Sequence, residues 1–233
     1  MERGSTVNGA ALWTRTAEPG ETVRVLPDGC MDLLWWGGAL TIAGPDTHGH
    51  VVTGDRAVEV TGLRFGPGLG PRVFGVPAHE LRDQRVPLAA VWPERAVREL
   101  TERAAAEEAA VGRSPERGRV LEGAAAWRLR DAGEQDGALG AVVRRLREGH
   151  GVAETAEAVG YSERQLHRRC LAAFGYGPKT LARVLRMRRA LRLAEDGRPL
   201  SGVAADAGYA DQAHLAREIR ALAGAPVSEL VRR

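Results

Sequence analysis

The chain has 233 residues, 44% of them hydrophobic and 27% charged, which is globular composition and excludes wholesale disorder. Two cysteines, Cys30 and Cys170, exclude a disulfide framework, and no apolar run reaches the roughly 18 residues of a membrane-spanning helix. The net charge of +3 conceals an asymmetry: residues 137–233 hold 17 Lys and Arg against 10 Asp and Glu, whereas residues 1–136 hold 16 against 20. The opening Met1-Glu2-Arg3-Gly4-Ser5 carries no apolar signal core, so a reducing cytoplasm is the expected compartment.

The first third predicts strands. Period-two or β-branched patterns mark Leu12–Thr16, Glu21–Val25, Met31–Trp36, Leu40–Ala43, Val51–Thr53 and Val58–Phe65. Turn residues punctuate them, as in Pro27-Asp28-Gly29 and Gly44-Pro45-Asp46. Short strands at this spacing predict a small barrel or curled sheet. Gly66-Pro67-Gly68 and Gly70-Pro71 end the strand character.

Helices are predicted beyond Pro93. Glu94–Glu108 carries Val97 and Leu100 on one side. Ser114-Pro115-Glu116 is a helix start, with Ser as cap and Pro at the first helical position. The helix it opens carries Val120, Leu121, Ala124 and Trp127 and fades near Arg130. The breaker-rich stretch 132–137 predicts a linker. Everything after it predicts α-helix, including a long amphipathic helix with Leu181, Val184, Met187 and Leu191 on one face. Arg183, Arg186, Arg189 and Arg192 lie on its other face.

One internal repeat stands out. Ala156-x-x-x-Gly160-Tyr161 returns as Ala204-x-x-x-Gly208-Tyr209, 48 residues later. Each copy reads as a short helix, a glycine turn and a second helix. A helix-turn-helix needs a small residue where its helices cross and a residue tolerant of positive φ in its turn. Leu166 and Leu215 then anchor the second helices inward, leaving the opposite faces for a DNA major groove. Two such units in a +7 segment point to DNA rather than to an ordinary helical bundle.

Residues 137–233 resemble the paired helix-turn-helix domain of AraC/XylS-type transcription regulators. The likeness rests on Ala156–Gly160, on 162–169, on Leu185–Leu193, on 208–217 and on Gly224-Ala225-Pro226. It implies seven helices, with the third and sixth entering successive major grooves of double-stranded DNA. Leu215 and Ile219 stand where the family usually has phenylalanine, and Ala225 where it often has serine or valine. With Leu166 inward, Arg164, His167 and Arg168 project outward; in the second unit Gln212, Ala213, His214 and Arg217 surround Leu215. The resemblance places these seven against bases or phosphates. Arg suits guanine and Gln suits adenine. Arg169 reads as a solvated or intramolecularly paired residue, and Cys170 as core.

The first half resembles a module found ahead of AraC-type domains in many actinobacterial proteins. Leu26–Trp35, Ala43–Thr47, Gly62–Gly68, Gly75–Ala78, Glu80–Asp83 and Val86–Leu88 carry the likeness. It implies a sensory or oligomerising half. Trp35, Trp36, Phe65, Phe74 and Trp92, with Cys30, are candidates to line an effector pocket; the same aromatics also serve as core. Asp28, Cys30, Asp32, His48 and His50 lack the spacing of a metal site, so no metal or other cofactor is expected. Catalysis through Cys30 and His79 lacks a fixed geometry, so no enzyme is expected.

The expected whole is an α+β domain followed by an all-α double helix-turn-helix domain. Residues 1–92 form the β-rich part, 93–131 its helical extension, 132–137 the linker and 138–233 the DNA-binding domain. The expected function is a sequence-specific transcription regulator modulated by a small-molecule effector. RNA polymerase and a second copy of the chain are candidate partners. The alternatives are an alkylation or stress sensor using Cys30, and a constitutive DNA-binding dimer without ligand.

Overall fold

The computed structural model describes residues 2–111, 115–133 and 136–231. Ser114, the expected helix cap, lies outside them. Eight strands precede most of the helices: β1 (Glu2–Gly4), β2 (Ala10–Ala17), β3 (Thr22–Val25), β4 (Met31–Trp36), β5 (Ala39–Ala43), β6 (His50–Thr53), β7 (Val58–Phe65) and β8 (Arg85–Pro87). Six form an antiparallel sheet in the order β1-β2-β7-β4-β5-β8, and β3 pairs with β6 in a separate ribbon. Gly37 and Gly38, both at positive φ, make the two-residue turn between β4 and β5. Positive φ at both positions matches the right-handed twist of the paired strands.

Register sorts the two faces. Leu12, Leu63, Leu33 and Ile42 are cross-strand neighbours on one face, and all are buried. Burial of side chains of this size stabilises by roughly 1.5–3 kcal/mol each. The same rows place Trp13, Gly62, Leu34 and Thr41 on the other face, beside Arg64 and Asp32.

Helices cover the apolar face: α1 (Gly70–Phe74), α2 (Glu94–Val111) and α3 (Pro115–Arg130). Val120, Leu121, Ala124 and Ala125 of α3 join the sheet's core, with Val97 and Leu100 of α2 packed at its margin. Gly118 lets α3 approach β2, since a Cβ there would lie 2.2 Å from Leu12 Cδ2. Trp127 alone of the apolar positions expected on α2 and α3 stays exposed, at 43%. Glu122 of α3 ties down the chain's start: Arg3 and Ser5 donate to it through side chains and Thr6 through its backbone N–H.

Seven further helices follow among the described residues: α4 (Gly137–Glu148), α5 (Val152–Ala158), α6 (Glu163–Phe174), α7 (Pro178–Glu195), α8 (Leu200–Ala207), α9 (Gln212–Ala223) and α10 (Val227–Leu230). They enclose two cores. Leu166, Cys170, Phe174, Leu181 and Val184 belong to the first; Met187, Leu191, Val203, Leu215 and Ile219 belong to the second. The long helix α7 therefore supplies both cores, and one rigid rod joins the two units.

Candidate nucleic-acid interface

The two sequence repeats fold alike. Gly160 and Gly208 sit at φ +73° and +84°, the left-handed conformation that glycine tolerates best. The next residue folds back in each copy: Tyr161 N–H donates to the Ala156 carbonyl at 2.9 Å, and Tyr209 N–H to the Ala204 carbonyl at 2.8 Å. Ala156 and Ala204 are buried where their helices cross.

Each second helix starts on a cap. Ser162 Oγ accepts from Gln165 N–H, and Gln165 Oε1 accepts from Ser162 N–H at 2.8 Å, a reciprocal capping box. Asp211 Oδ1 accepts from His214 N–H at 2.6 Å and starts α9. Such caps contribute about 1 kcal/mol each and fix where the first turn points.

Arg164, His167 and Arg168 are exposed on α6, while Leu166 is buried. Gln212, Ala213 and Arg217 are exposed on α9, around a buried Leu215. These six are displayed as helix geometry predicts. His214 differs. It is half-buried, its ring packs edge-on against Tyr209 at 5.3 Å, and its Nδ1 accepts from Ala210 N–H at 3.3 Å. Its ring braces the turn before α9.

Other charges hold the interface in shape. Arg169 donates to Asp136 Oδ2 at 2.6 Å and lies over the Tyr161 ring. Asp136 also caps α4 by accepting from Ala138 N–H. A residue expected only as linker thus joins α4 to α6. Burial and the Asp136 carboxylate push the Tyr161 hydroxyl up. Arg183 and Arg186, on the polar face of α7, both donate to Glu218 of α9, and Arg186 lies over Tyr209. Asp136 read only as linker, and Glu218 carried no expectation. Arg183 and Arg186 three residues apart were the available signal for Glu218, and nothing in the sequence paired them.

The six effector candidates do not converge. Trp35, Phe65, Phe74 and Trp92 fill the core between the sheet and its helices, with Phe65 and Phe74 edge-to-face at 5.5 Å. Trp36 is exposed at the strand end before the Gly37-Gly38 turn. Cys30 precedes β4, its N–H donating to Asp28 Oδ1. Burial, with Asp28 adding to it, pushes the Cys30 thiol well above its ordinary value. The polar face of the sheet gathers a set that sequence analysis missed. Trp13 Nε1 donates to Asp32 Oδ1 at 2.7 Å, and Arg64 Nε stands 3.3 Å from the same oxygen. Trp13 lies flat over Gly62, where a Cβ would meet its ring at 2.3 Å. Burial pushes the Asp32 carboxyl up against the opposing pull of Arg64. Among the described residues no three His, Cys, Asp or Glu side chains gather as metal ligands.

The β-rich half touches both α6 and α9. Gly49 N–H donates to the Leu222 carbonyl of α9. His79 Nδ1 lies 3.3 Å from the Leu171 carbonyl of α6. Pro45 abuts Gly175, where a Cβ would stand 2.4 Å from its ring.

Comparison with known proteins accords with this geometry. Residues 142–233 match the helix-turn-helix domain family, and residues 10–87 match a domain of unknown function, DUF6597. No curated protein matches. An apo crystal structure of ToxT from Vibrio cholerae superposes with a TM-score of 0.52 at 9% identity, covering 98% of each chain. A ToxT structure at 1.65 Å resolution superposes with a TM-score of 0.51 at 8% identity, covering 96% of this chain and 98% of that one. These solved structures share the order of a strand-rich domain followed by a helical one. Residues 142–233 thus carry a helix-turn-helix domain, residues 10–87 carry a DUF6597 domain ahead of it, and the chain shares the fold of these ToxT structures.

Proposed function

We propose that this regulator reads two successive major-groove segments of one DNA face, α6 in one and α9 in the next. Arg164, His167 and Arg168 make the first set of contacts; Gln212, Ala213 and Arg217 make the second, with His214 at its edge. The observation that carries this reading is α7, which belongs to both cores and fixes one reading unit against the other. Residues 1–92 with the helices of 93–131 form the sensory half, 132–137 the connection, and 138–233 the reading half.

The sensory half answers to a small molecule. One ToxT structure of this fold, with a TM-score of 0.52, is described as bound to (E)-4-(8-methylnaphthalen-1-yl)but-3-enoic acid. An effector shifts DNA affinity only through different affinities for two arrangements of the chain. The contacts of Gly49 and His79 with α9 and α6 give such a shift a path. The chain acts by binding rather than catalysis, in the cytoplasm, with RNA polymerase as the downstream partner. A homodimer through the first half would bury Trp127. Light scattering on the full chain, with and without operator DNA, tests the dimer: a monomer in both rejects it.

The experiment for the reading as a whole is selection of bound sequences from a random DNA pool. Two preferred blocks about 10–10.5 base pairs apart, centre to centre, support it. A single block rejects the second reading helix.

A further inference from the structure

An open groove of about 450 Å³ lies where α1, the end of α3 and α6 meet. Pro71, Val76, Pro77, Ala132 and Ala172 give it apolar walls. Arg72 and Arg128 bring two guanidiniums to it, against one carboxylate, Asp131. Neither arginine forms an ion pair among the described residues.

Both cations are held in place. Arg128 Nε donates to the Val73 carbonyl at 3.1 Å, and its guanidinium lies 5.2 Å and 5.7 Å from the Trp92 and Trp127 rings. Arg72 donates through Nη2 to the Gly133 carbonyl. Its Nε is buried with no hydrogen-bond partner among the described residues. An unsatisfied buried donor beside an open groove is costly unless something fills it. Gly75 completes the floor: a Cβ there would stand 2.6 Å from Arg128 Nη2.

We infer that this groove binds a small organic carboxylate with an apolar body. Fixed guanidinium forks match a carboxylate's two oxygens, and the stacking of Arg128 on two indoles limits the ordering cost of binding. The groove has the size of small-molecule sites, and its walls suit a flat hydrocarbon. One net positive charge across the lining suits a monoanion. The position matters for regulation. Ala172 belongs to the reading helix α6, and Ala132 to the connection between the halves. A ligand there touches the sensory half, the connection and a reading helix together. This inference rests on the proposal that a small molecule modulates the protein and gives it a place and a chemistry.

Calorimetric titration of the full chain tests it, with 1-naphthoate, its uncharged counterpart 1-naphthalenemethanol and inorganic phosphate as probes. The expected result is saturable naphthoate binding, about tenfold or more tighter than the alcohol or phosphate. Arg72→Gln should weaken it at least tenfold. Val76→Trp, which fills the groove and keeps both cations, should abolish it. Neither variant should change DNA affinity in the absence of probe. No saturable binding at millimolar naphthoate overturns the inference, as does equal binding of acid and alcohol or of acid and phosphate. Undiminished binding in both variants overturns the groove while leaving modulation elsewhere intact. Reduced DNA affinity of Arg72→Gln with a shallower salt dependence makes Arg72 a phosphate contact and also overturns it. Groove binding that leaves DNA affinity unchanged upholds the site and rejects its role in modulation.

Discussion

Arg82 of the β-rich half donates through Nη1 to the carbonyl oxygen of Gly175, 3.3 Å away, and Gly175 is the residue that ends α6. The second helix-turn-helix unit repeats the arrangement, with Arg24 Nη1 donating to the Ala223 carbonyl at 3.1 Å at the end of α9. The last carbonyls of a helix lack intrahelical donors and form the negative end of its dipole. A guanidinium satisfies both needs. Arg164 and Gln212 lie at the opposite ends, in the first turns. The β-rich half thus holds both α6 and α9 by their C-terminal ends.

Removing both clasps should loosen the halves. The double variant Arg24→Ala with Arg82→Ala should lose about 1–3 kcal/mol in urea unfolding, since charged hydrogen bonds contribute about 1.5–3 kcal/mol each and exposure discounts Arg82. Trypsin should cut after Arg130 faster than in the parent chain. Unchanged stability together with unchanged cutting would make these contacts incidental.

Glu218 should orient the second reading helix. It is nearly buried and accepts from Arg183 at 2.9 Å and from Arg186 at 2.7 Å. Glu218→Ala leaves two guanidiniums unpaired. Their partial exposure limits the loss to about 1–3 kcal/mol, below the cost of a fully buried pair. Thermal melting measures this, and Glu218→Gln should recover part of it by keeping an acceptor. Equal melting of all three proteins would remove Glu218 from the account.

The two thiols should stay neutral in the native protein. Burial raises Cys170 to about 12 and raises Cys30 well above its ordinary value. Below the unfolded value, near 8.5, both states hold the proton and the thiols impose no pH dependence. As pH climbs from there toward 12, the unfolded chain loses the Cys170 proton first, so stability falls. Cys170→Ala should flatten that fall in urea titrations between pH 8 and 11; parallel curves would contradict it. Iodoacetamide should label Cys30 slowly in the native chain and rapidly in urea. Rapid native labelling would revive a cysteine-based alkylation sensor.

DNA affinity should depend steeply on salt. Residues 137–233 carry +7, and each neutralised phosphate contributes a log–log slope of about −0.9. Six phosphate contacts would give a slope near −5. A slope near zero between low and physiological salt would remove charge as the basis of attraction.

Much of this fold was legible because local patterns and tertiary packing agree. Met31–Trp36 and Val58–Phe65 are strands over the predicted residues, since alternation there meets a half-buried sheet. The paired units were readable because Gly160, Gly208, Ala156 and Ala204 each answer a steric demand of the helix crossing. What escaped carried no periodic signal. β1 is three exposed residues, β8 contains a proline, and α1 has five residues opened by Gly70-Pro71, a pair that reads as a break. The aromatics illustrate a different limit. Composition finds Trp35, Phe65, Phe74 and Trp92, but only strand register turns Trp35 and Phe65 toward the helices, where Phe74 and Trp92 join them in one core, opposite Trp13, Asp32 and Arg64. The clasps at Gly175 and Ala223 end on backbone carbonyls, which every residue possesses, so no side-chain pattern marks them.

In the proposed binding mode, α6 and α9 each read their own stretch of DNA. Its most direct test is sequence selection from a random pool with three proteins: the parent chain, Arg164→Ala and Arg217→Ala. Each variant should lose about 1–3 kcal/mol of specific binding. Arg164→Ala should relax preference in one block only, and Arg217→Ala in the other, about one helical turn away. Relaxation of the same block by both variants, or of neither block by either, would contradict the two-helix reading.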